Sequence, residues 1–406
     1  MASSPPMNKL TNEIFSILEN KFLFGNNNQT NTTTHSHGKV RILSIDAGDG
    51  ILAAATLLHL QSILRRKSGN PSSHISDFFD VVTGAGAGGI LAGLLFTRRN
   101  DGRPMFSAED SLKFIVGNRR KLTAQHHSPS SSVFSRMRGP ARSPSKILNR
   151  VFGDSTLKDT VKAVLIPCYD LSSGAPILFS RADAVEMEGC NFKMAEVCGA
   201  TAANRAVEMR STDGKKKLVA VGGGVSNPTA AAITHVLNNK QEFPVCKGVE
   251  DLLVVSIGNV DCSHVSNTSL LKIAADGAAD VVDQAVSMAF GEWRSNYVRI
   301  QGNGLIVGGK NNIRSEKDMI INMFGKNNIV DEILGQKNVE SILFKGKNVV
   351  EYTNMEKLEV LGGELIKEER RKYNSMLPTV LFNSAICSSP TSSSAATTPS
   401  TLSSTS

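Results

Sequence analysis

Residues 78–90 read FFDVVTGAGAGGI. An apolar run passes through a glycine-rich turn into a second apolar run, which reads as a buried strand, a sharp turn and a helix starting near Gly88. Gly84, Gly86 and Gly88 keep the spacing of a nucleophile elbow, where Gly-x-Ser-x-Gly presents a serine hydroxyl on a tight strand-to-helix turn. Here the central slot is Gly86, which has no side chain to attack anything.

The same alternation extends outward from this stretch. VRILSID (40–46) reads as a buried strand, and the chain from Ile51 to Arg66 reads as a helix closed by the cations Arg65, Arg66 and Lys67. Ser107 to Asp110 forms a capping box that opens a helix to about Leu122. Further strands are expected at 161–169, 176–180, 217–221 and 252–257, with helices at 193–203 and at 228–238, the second opened by Asn227 and Pro228. From Ser269 the chain reads as mostly helical. Strands separated by helices predict an α/β class with a central, mainly parallel sheet flanked by helices. Three segments are expected: 1–38, an amphipathic helix (Leu10, Ile14, Ile17, Leu18, Phe22, Phe24) and a polar linker; 39–384, the globular domain; and 385–406, a disordered Ser/Thr-rich tail.

With 406 residues, 40% of them hydrophobic, the chain is long enough for a large core. The net charge of +8 suits nucleic acid or an anionic membrane. One Trp, four Tyr and the lack of aromatic-interleaved basic stretches argue against nucleic acid. Cys168, Cys190, Cys198, Cys246, Cys262 and Cys387 form no CxxC and no Cys/His metal spacing, so they read as thiols of a reducing compartment. No secretory leader and no spanning run is read, which predicts a cytoplasmic protein, peripheral on membranes.

Three glycine-rich segments follow expected strands: Asp46-Ala47-Gly48-Asp49-Gly50, Gly84 to Gly88, and Gly222-Gly223-Gly224. Turn glycines are common at such positions, but loops at the carboxyl ends of strands are also where α/β sheets bind ligands. In this order, and with LIPCYDLSSGAPILFSRADA (165–184) and KMAEVCGATAA (193–203) between them, they resemble the patatin-like lipid acyl hydrolases, over roughly 39–385. EIFSILENKFLFG (13–25), VGGGVSNPTAAAITHV (221–236), QKNVESILFKGK (336–347) and LGGELIKEERRK (361–372) are similar to the group III members, which carry glycine in place of the elbow serine.

The resemblance implies a patatin-like three-layer fold. It also implies a Ser–Asp dyad, whose serine slot is Gly86 and whose acid/base slot is Gly222, so neither half is present. It makes 46–50 the oxyanion loop, about two residues shorter than is usual and carrying Asp49, whose charge opposes a developing oxyanion. Among substitutes, Ser44 and Ser256 read as satisfied core hydroxyls, Ser226 as a cap or turn residue, and Asp46 as an acceptor of loop N–H bonds. Asp46 or Asp49 acting on bound water is the remaining carboxylate chemistry. His59, His235, His126 and His127 form no triad. Arg119, Arg120, Lys121, Arg136, Arg138, Arg142, Lys146 and Arg150 line or flank the 123–145 loop, which reads either as a solvated insertion or as a contact for anionic headgroups.

The resemblance implies a lipolytic acyl hydrolase on phospholipids or galactolipids, or a catalytically inactive lipid-binding or regulatory protein in which Gly86 and Gly222 leave an acyl-sized pocket open. A dinucleotide site is a distant third, because the first loop is not Gly-x-Gly-x-x-Gly. Membrane lipids are the expected partners, with no nucleic acid, no metal and no organic cofactor.

Overall fold

A computed structural model describes residues 38–122, 145–258, 270–302, 329–342 and 346–376. The helix expected at 10–24, its linker to residue 37, residues 123–144 of the basic loop and the tail expected at 385–406 lie outside the described residues.

Strand β1 (Val40–Ile45) is buried throughout, and its side chains alternate between two cores. Leu43 and Ile45 join one, Val40 and Ile42 the other, as a strand covered on both faces requires. The chain continues through α1 (Ile51–Ser68), β2 (Val81–Gly84), α2 (Ala87–Phe96), α3 (Ala108–Leu122) and α4 (Ser145–Phe152). Next come β3 (Ala163–Asp170), β4 (Ala175–Ser180), α5 (Arg181–Glu186), α6 (Met194–Thr201), β5 (Val207–Arg210) and β6 (Lys217–Val221). Then follow α7 (Thr229–Asn238), β7 (Leu252–Ile257), α8 (Leu270–Phe290), β8 (Tyr297–Ile300), α9 (Ile329–Leu334), β9 (Lys337–Ile342), β10 (Gly346–Thr353) and α10 (Asn354–Met376).

The main sheet has eight strands in the order β5-β6-β3-β2-β1-β7-β8, with β4 paired to β3. Neighbours from β3 to β8 are parallel. The larger core, under α1, α2, α6 and α10, covers one face; α7 and α8 cover the other. This is the expected three-layer α/β architecture with a mainly parallel sheet. Because β1, β2, β7 and β8 run in register, the turns after Ile45, Gly84, Ile257 and Ile300 all leave the same edge of the sheet.

The described region after Ser269 is mostly helical, as expected, in α8 and α10, but it also holds β8, which completes the sheet, and the β9–β10 ribbon. Strands β9 and β10, KNVESI and GKNVVEYT, are rich in Asn, Lys and Glu, so no apolar run announces them. Strand β6 is not part of the parallel set. It pairs antiparallel with β3, Val221 opposite Tyr169 and Ala220 opposite Asp170, and so approaches the carboxyl edge from outside the sheet. The local signals held better. Ser107 and Asp110 exchange the two capping-box bonds, and the Asn227 side chain accepts the Thr229 N–H at 3.0 Å. Cys168, Cys198 and Cys246 are buried free thiols; burial pushes Cys168 up to about 12 and Cys246 to about 11.

A buried ion cluster ties the sheet to α10. Arg41, 1% exposed, donates from Nε and Nη2 to Asp80 at 3.1 Å and from Nη1 to Glu369, while Lys372 reaches Asp80 from the same helix. Burial alone would raise the Asp80 carboxyl, but Arg41 and Lys372 outweigh it and hold it at about 2. A depressed folded value means that the stabilisation is complete above the ordinary carboxylate range near ~4 and is lost as pH falls through about 2. Asp80→Ala leaves Arg41 buried with only Glu369, and the expected cost is about 3 kcal/mol at neutral pH. Denaturant titrations of the two proteins between neutral pH and pH ~2 should show that gap closing in acid.

Candidate functional site

At the expected elbow the chain turns sharply from strand into helix. Gly86 adopts φ 57° and ψ −127°, outside the left-handed helical well, at the step from β2 into α2. A side-chain-bearing residue held there is strained by about 1–3 kcal/mol, and glycine removes most of that cost. The flanking glycines are dictated by packing. A Cβ on Gly84 would lie 2.2 Å from the Gly88 carbonyl oxygen, and one on Gly88 would lie 2.6 and 2.8 Å from those of Ile45 and Asp46. A Cβ on Gly86 would meet only Ala47 Cβ at 3.4 Å and Gly48 N at 3.7 Å. The central slot is therefore open, half-buried, and set against the 46–50 loop.

That loop is pinned at both ends. The Asp46 N–H donates to Ile257 O at 2.9 Å and the Ala47 N–H to Ser226 O at 2.8 Å, so neither is available to an oxyanion. Asp49 accepts the Ile51 N–H at 3.0 Å and pairs with Arg119 at 3.3 Å. Its charge thus faces the N-terminus of α1 and a guanidinium, where a carboxylate is favoured. Gly48, the exposed member of the loop, stands beside the slot. Across from it, Ala87 and Gly88 open α2 with N–H groups that no intrahelical carbonyl can reach.

Asp46 takes a role different from the expected one. It accepts no loop N–H; its Oδ2 accepts from Arg299 Nη2 at 2.7 Å, with the carboxylate 4% and the guanidinium 6% exposed. Burial pushes the Asp46 carboxyl up, against the pull of Arg299. Burial would lower Arg299, but Asp46 and Asp283 outweigh it and keep the guanidinium charged. Arg299 also donates to Ser256 Oγ at 2.6 Å and to Gln301 at 3.2 Å. Thr229 bridges Ser256, at 3.0 Å, and Ser44, at 2.8 Å. Ser44 and Ser256 are thereby satisfied core hydroxyls, as expected, and Asp46 is a structural anchor at the root of the loop.

The third glycine segment reaches the elbow through a residue that sequence reasoning missed. Thr201, at the end of α6, accepts the Gly86 N–H on its hydroxyl at 3.1 Å and donates to Pro167 O at 2.8 Å. A Cβ on Gly222 would lie 2.1 Å from the Thr201 carbonyl oxygen and 2.9 Å from that of Ala203. No aspartate fits at Gly222 without moving backbone. Gly223 is exposed with φ 87°, and a Cβ on Gly224 would press on Tyr169 at 3.0 Å. Thr201 lies inside the KMAEVCGATAA segment, but nothing in that string marks one hydroxyl as the link. Arg299 had a faint signal, as a lone cation inside the apolar run YVRI.

Two cavities lie away from Gly86 and Gly222, where the resemblance places an acyl-sized pocket. One, of about 290 Å³, is lined by residues including His74, Arg103 and Lys162; the other, of about 490 Å³, by Arg99, Phe106 and Phe114 among others. Among the described residues no His/Cys/Asp/Glu group could hold a metal ion, and no helix is long and apolar enough to cross a membrane. Lys121, Lys146 and Arg150 are exposed, while Arg119 is paired with Asp49; Arg136, Arg138 and Arg142 lie outside the described residues.

The steric ranking is testable. Gly86→Ser should fold with a loss of about 1–3 kcal/mol from backbone strain alone. Gly84→Ala and Gly88→Ala, which drive a methyl into backbone carbonyls, should lose more. Thermal midpoints of the three variants check the order, and equal midpoints would contradict the packing argument.

No protein-family model matches the chain. The crystal structure of VipD from Legionella pneumophila overlaps with a TM-score of only 0.29 at 11% identity, over 73% of this chain and 67% of that one. Curated sequences are much nearer. Patatin-like protein 7 of Arabidopsis thaliana is 45% identical, over 93% of this chain and 84% of its own length. Patatin-like protein 3 of Oryza sativa subsp. indica is 44% identical over 90% and 92%, and probable inactive patatin-like protein 9 of Arabidopsis thaliana 40% over 84% and 94%. Relatives this similar cover 84–93% of the chain, and the chain belongs to the plant patatin-like protein family.

Proposed function

We propose that this protein acts on acyl lipids at the elbow, hydrolysing phospholipid or galactolipid esters with water in the place of the missing serine hydroxyl. The single observation that carries this reading is the backbone of Gly86. It keeps the strained elbow geometry, with an open slot between Gly48 and the start of α2. The slot adjoins backbone donors and leaves room for an ester carbonyl, which supports the reading.

The chemistry follows from what surrounds the slot. An ester carbonyl placed there meets the N–H groups that open α2 and the Gly48 N–H, donors suited to the charge that develops on its oxygen. Water attacks the carbonyl carbon, the carbon–oxygen bond to the glycerol or sugar side breaks, and the leaving oxygen takes the proton that Asp49 removed from the water. Asp49 is the loop carboxylate with solvent access, its side chain 35% exposed against 4% for Asp46, and it accepts the proton of the attacking water. No acyl-enzyme forms, because no side-chain nucleophile is present at residue 86. The group III resemblance supports the same reading, since those sequences share glycine at this slot.

A second reading is favoured by Gly222, whose surroundings exclude an aspartate, and by the relative named probable inactive: the frame binds acyl lipid without hydrolysing it. Fatty-acid release from phospholipid and galactolipid vesicles separates the two. The full chain should release fatty acid in the presence of a fluorophosphonate, which needs a nucleophilic serine. Asp49→Asn should lower release at least tenfold while vesicle co-sedimentation is retained, and Gly86→Phe should abolish release by filling the slot. Binding without release leaves the non-hydrolytic reading; release that fluorophosphonate stops overturns the water mechanism; neither binding nor release overturns both.

A further inference from the structure

Helix α8 is amphipathic in the wrong direction for a surface helix. Its ionised residues Lys272, Asp276, Asp280 and Asp283 are half-buried or buried, and Asp283 accepts the Tyr297 hydroxyl at 2.6 Å beneath the helix. Its outward face is apolar: Leu270 is 85% exposed, Ile273 54%, Val281 54% and Met288 68%. The spacing of these residues follows the three-to-four-residue helical repeat, so they form one stripe about 27 Å long. The exposed positions between them are Ala274, Gly277, Ala278, Ala285 and Ser287, small enough for a second helix to approach closely. A surface helix normally turns such a stripe inward, and an exposed one of this length marks a contact.

We propose that the stripe is the docking surface for this chain's own N-terminal segment, Leu10–Phe24. That segment carries Leu10, Ile14, Ile17, Leu18 and Phe22 at helical spacing, an apolar face about 18 Å long that falls within the length of the stripe. The point where the described chain begins places it within reach. Lys39 donates from Nζ to Asn296 Oδ1 at 2.7 Å, and Asn296 closes the 291–296 turn that ends α8. Residues 25–38 then join the segment to the base of the helix. Fourteen residues span up to about 45–50 Å when extended, more than the roughly 30 Å length of α8. The one lysine of the helix, Lys272, is paired with Asp276 at 2.9 Å, so the helix offers no unpaired cation to an anionic membrane. Both apolar faces lose water in a single intramolecular contact, with no translational entropy to overcome.

The test uses the full chain with a photo-cross-linking benzoylphenylalanine in place of Val281 and, in a second protein, of Met288. Irradiation followed by peptide mapping should join both positions to the peptide containing residues 10–24 of the same molecule. The doublet Ile17→Lys with Leu18→Lys, which leaves the sheet untouched, should reduce that product at least fivefold. Cross-linked dimers would assign the face to a second copy, and cross-links to vesicle lipid would assign it to a membrane. Products with another segment of the chain would assign it there. Each of these results overturns the proposal, as does a yield unchanged by the doublet.

Discussion

The turn after β1 and the turn after β2 pass so close that no side chain fits between them. Gly88 lies against the carbonyl oxygens of Ile45 and Asp46, and Gly84 against the carbonyl of Gly88 itself. Two adjacent parallel strands that turn at the same level must let their first helical turns interlock, and only glycine allows that approach. The slot at Gly86, the position of Gly48 beside it and the direction of α2 all follow from this contact. Its glycines are a steric requirement of the scaffold, whatever chemistry the scaffold performs.

Beneath that contact lies the Asp46–Arg299 pair. Two charges buried to this extent are costly unless paired and further hydrogen-bonded. Arg299 meets the condition through Ser256 and Gln301, and Thr229 carries the network on to Ser44. The pair joins the end of β1 to β8, two strands separated by β7 in the sheet, and so fixes the root of the 46–50 loop from the far side. Asp46 is thereby removed from chemistry, and Asp49 becomes the loop carboxylate that faces outward.

Under the proposed reading the site offers backbone donors and a helix N-terminus, while Gly86 and Gly222 stand where the family resemblance puts a nucleophile and its base. The two positions are not equivalent. A serine would fit at Gly86 at the cost of strain, whereas an aspartate at Gly222 would collide with Thr201. Backbone has closed around the second position, so the third segment now serves to buttress the elbow through Thr201 and to hold the Ala47 N–H through Ser226.

Local and periodic features were readable from the amino-acid order alone. The buried strands 40–46 and 252–257, the capping box at Ser107, the helix opened by Asn227 and the glycine frame at 84–88 depend on neighbours within a few residues. A short-range pattern encodes them directly. The α/β class and the family resemblance followed from their order. Tertiary structure decided the rest. β9 and β10 carry too little apolar pattern to be seen before they pair, β8 is only four residues long, and the antiparallel direction of β6 is a property of its partner strand. The Asp46–Arg299 pair joins residues 253 positions apart, and the Thr201–Gly86 bond spans 115. Such contacts leave no periodic trace, because which side chain meets a given carboxylate or N–H is fixed only when the strands have taken their order in the sheet.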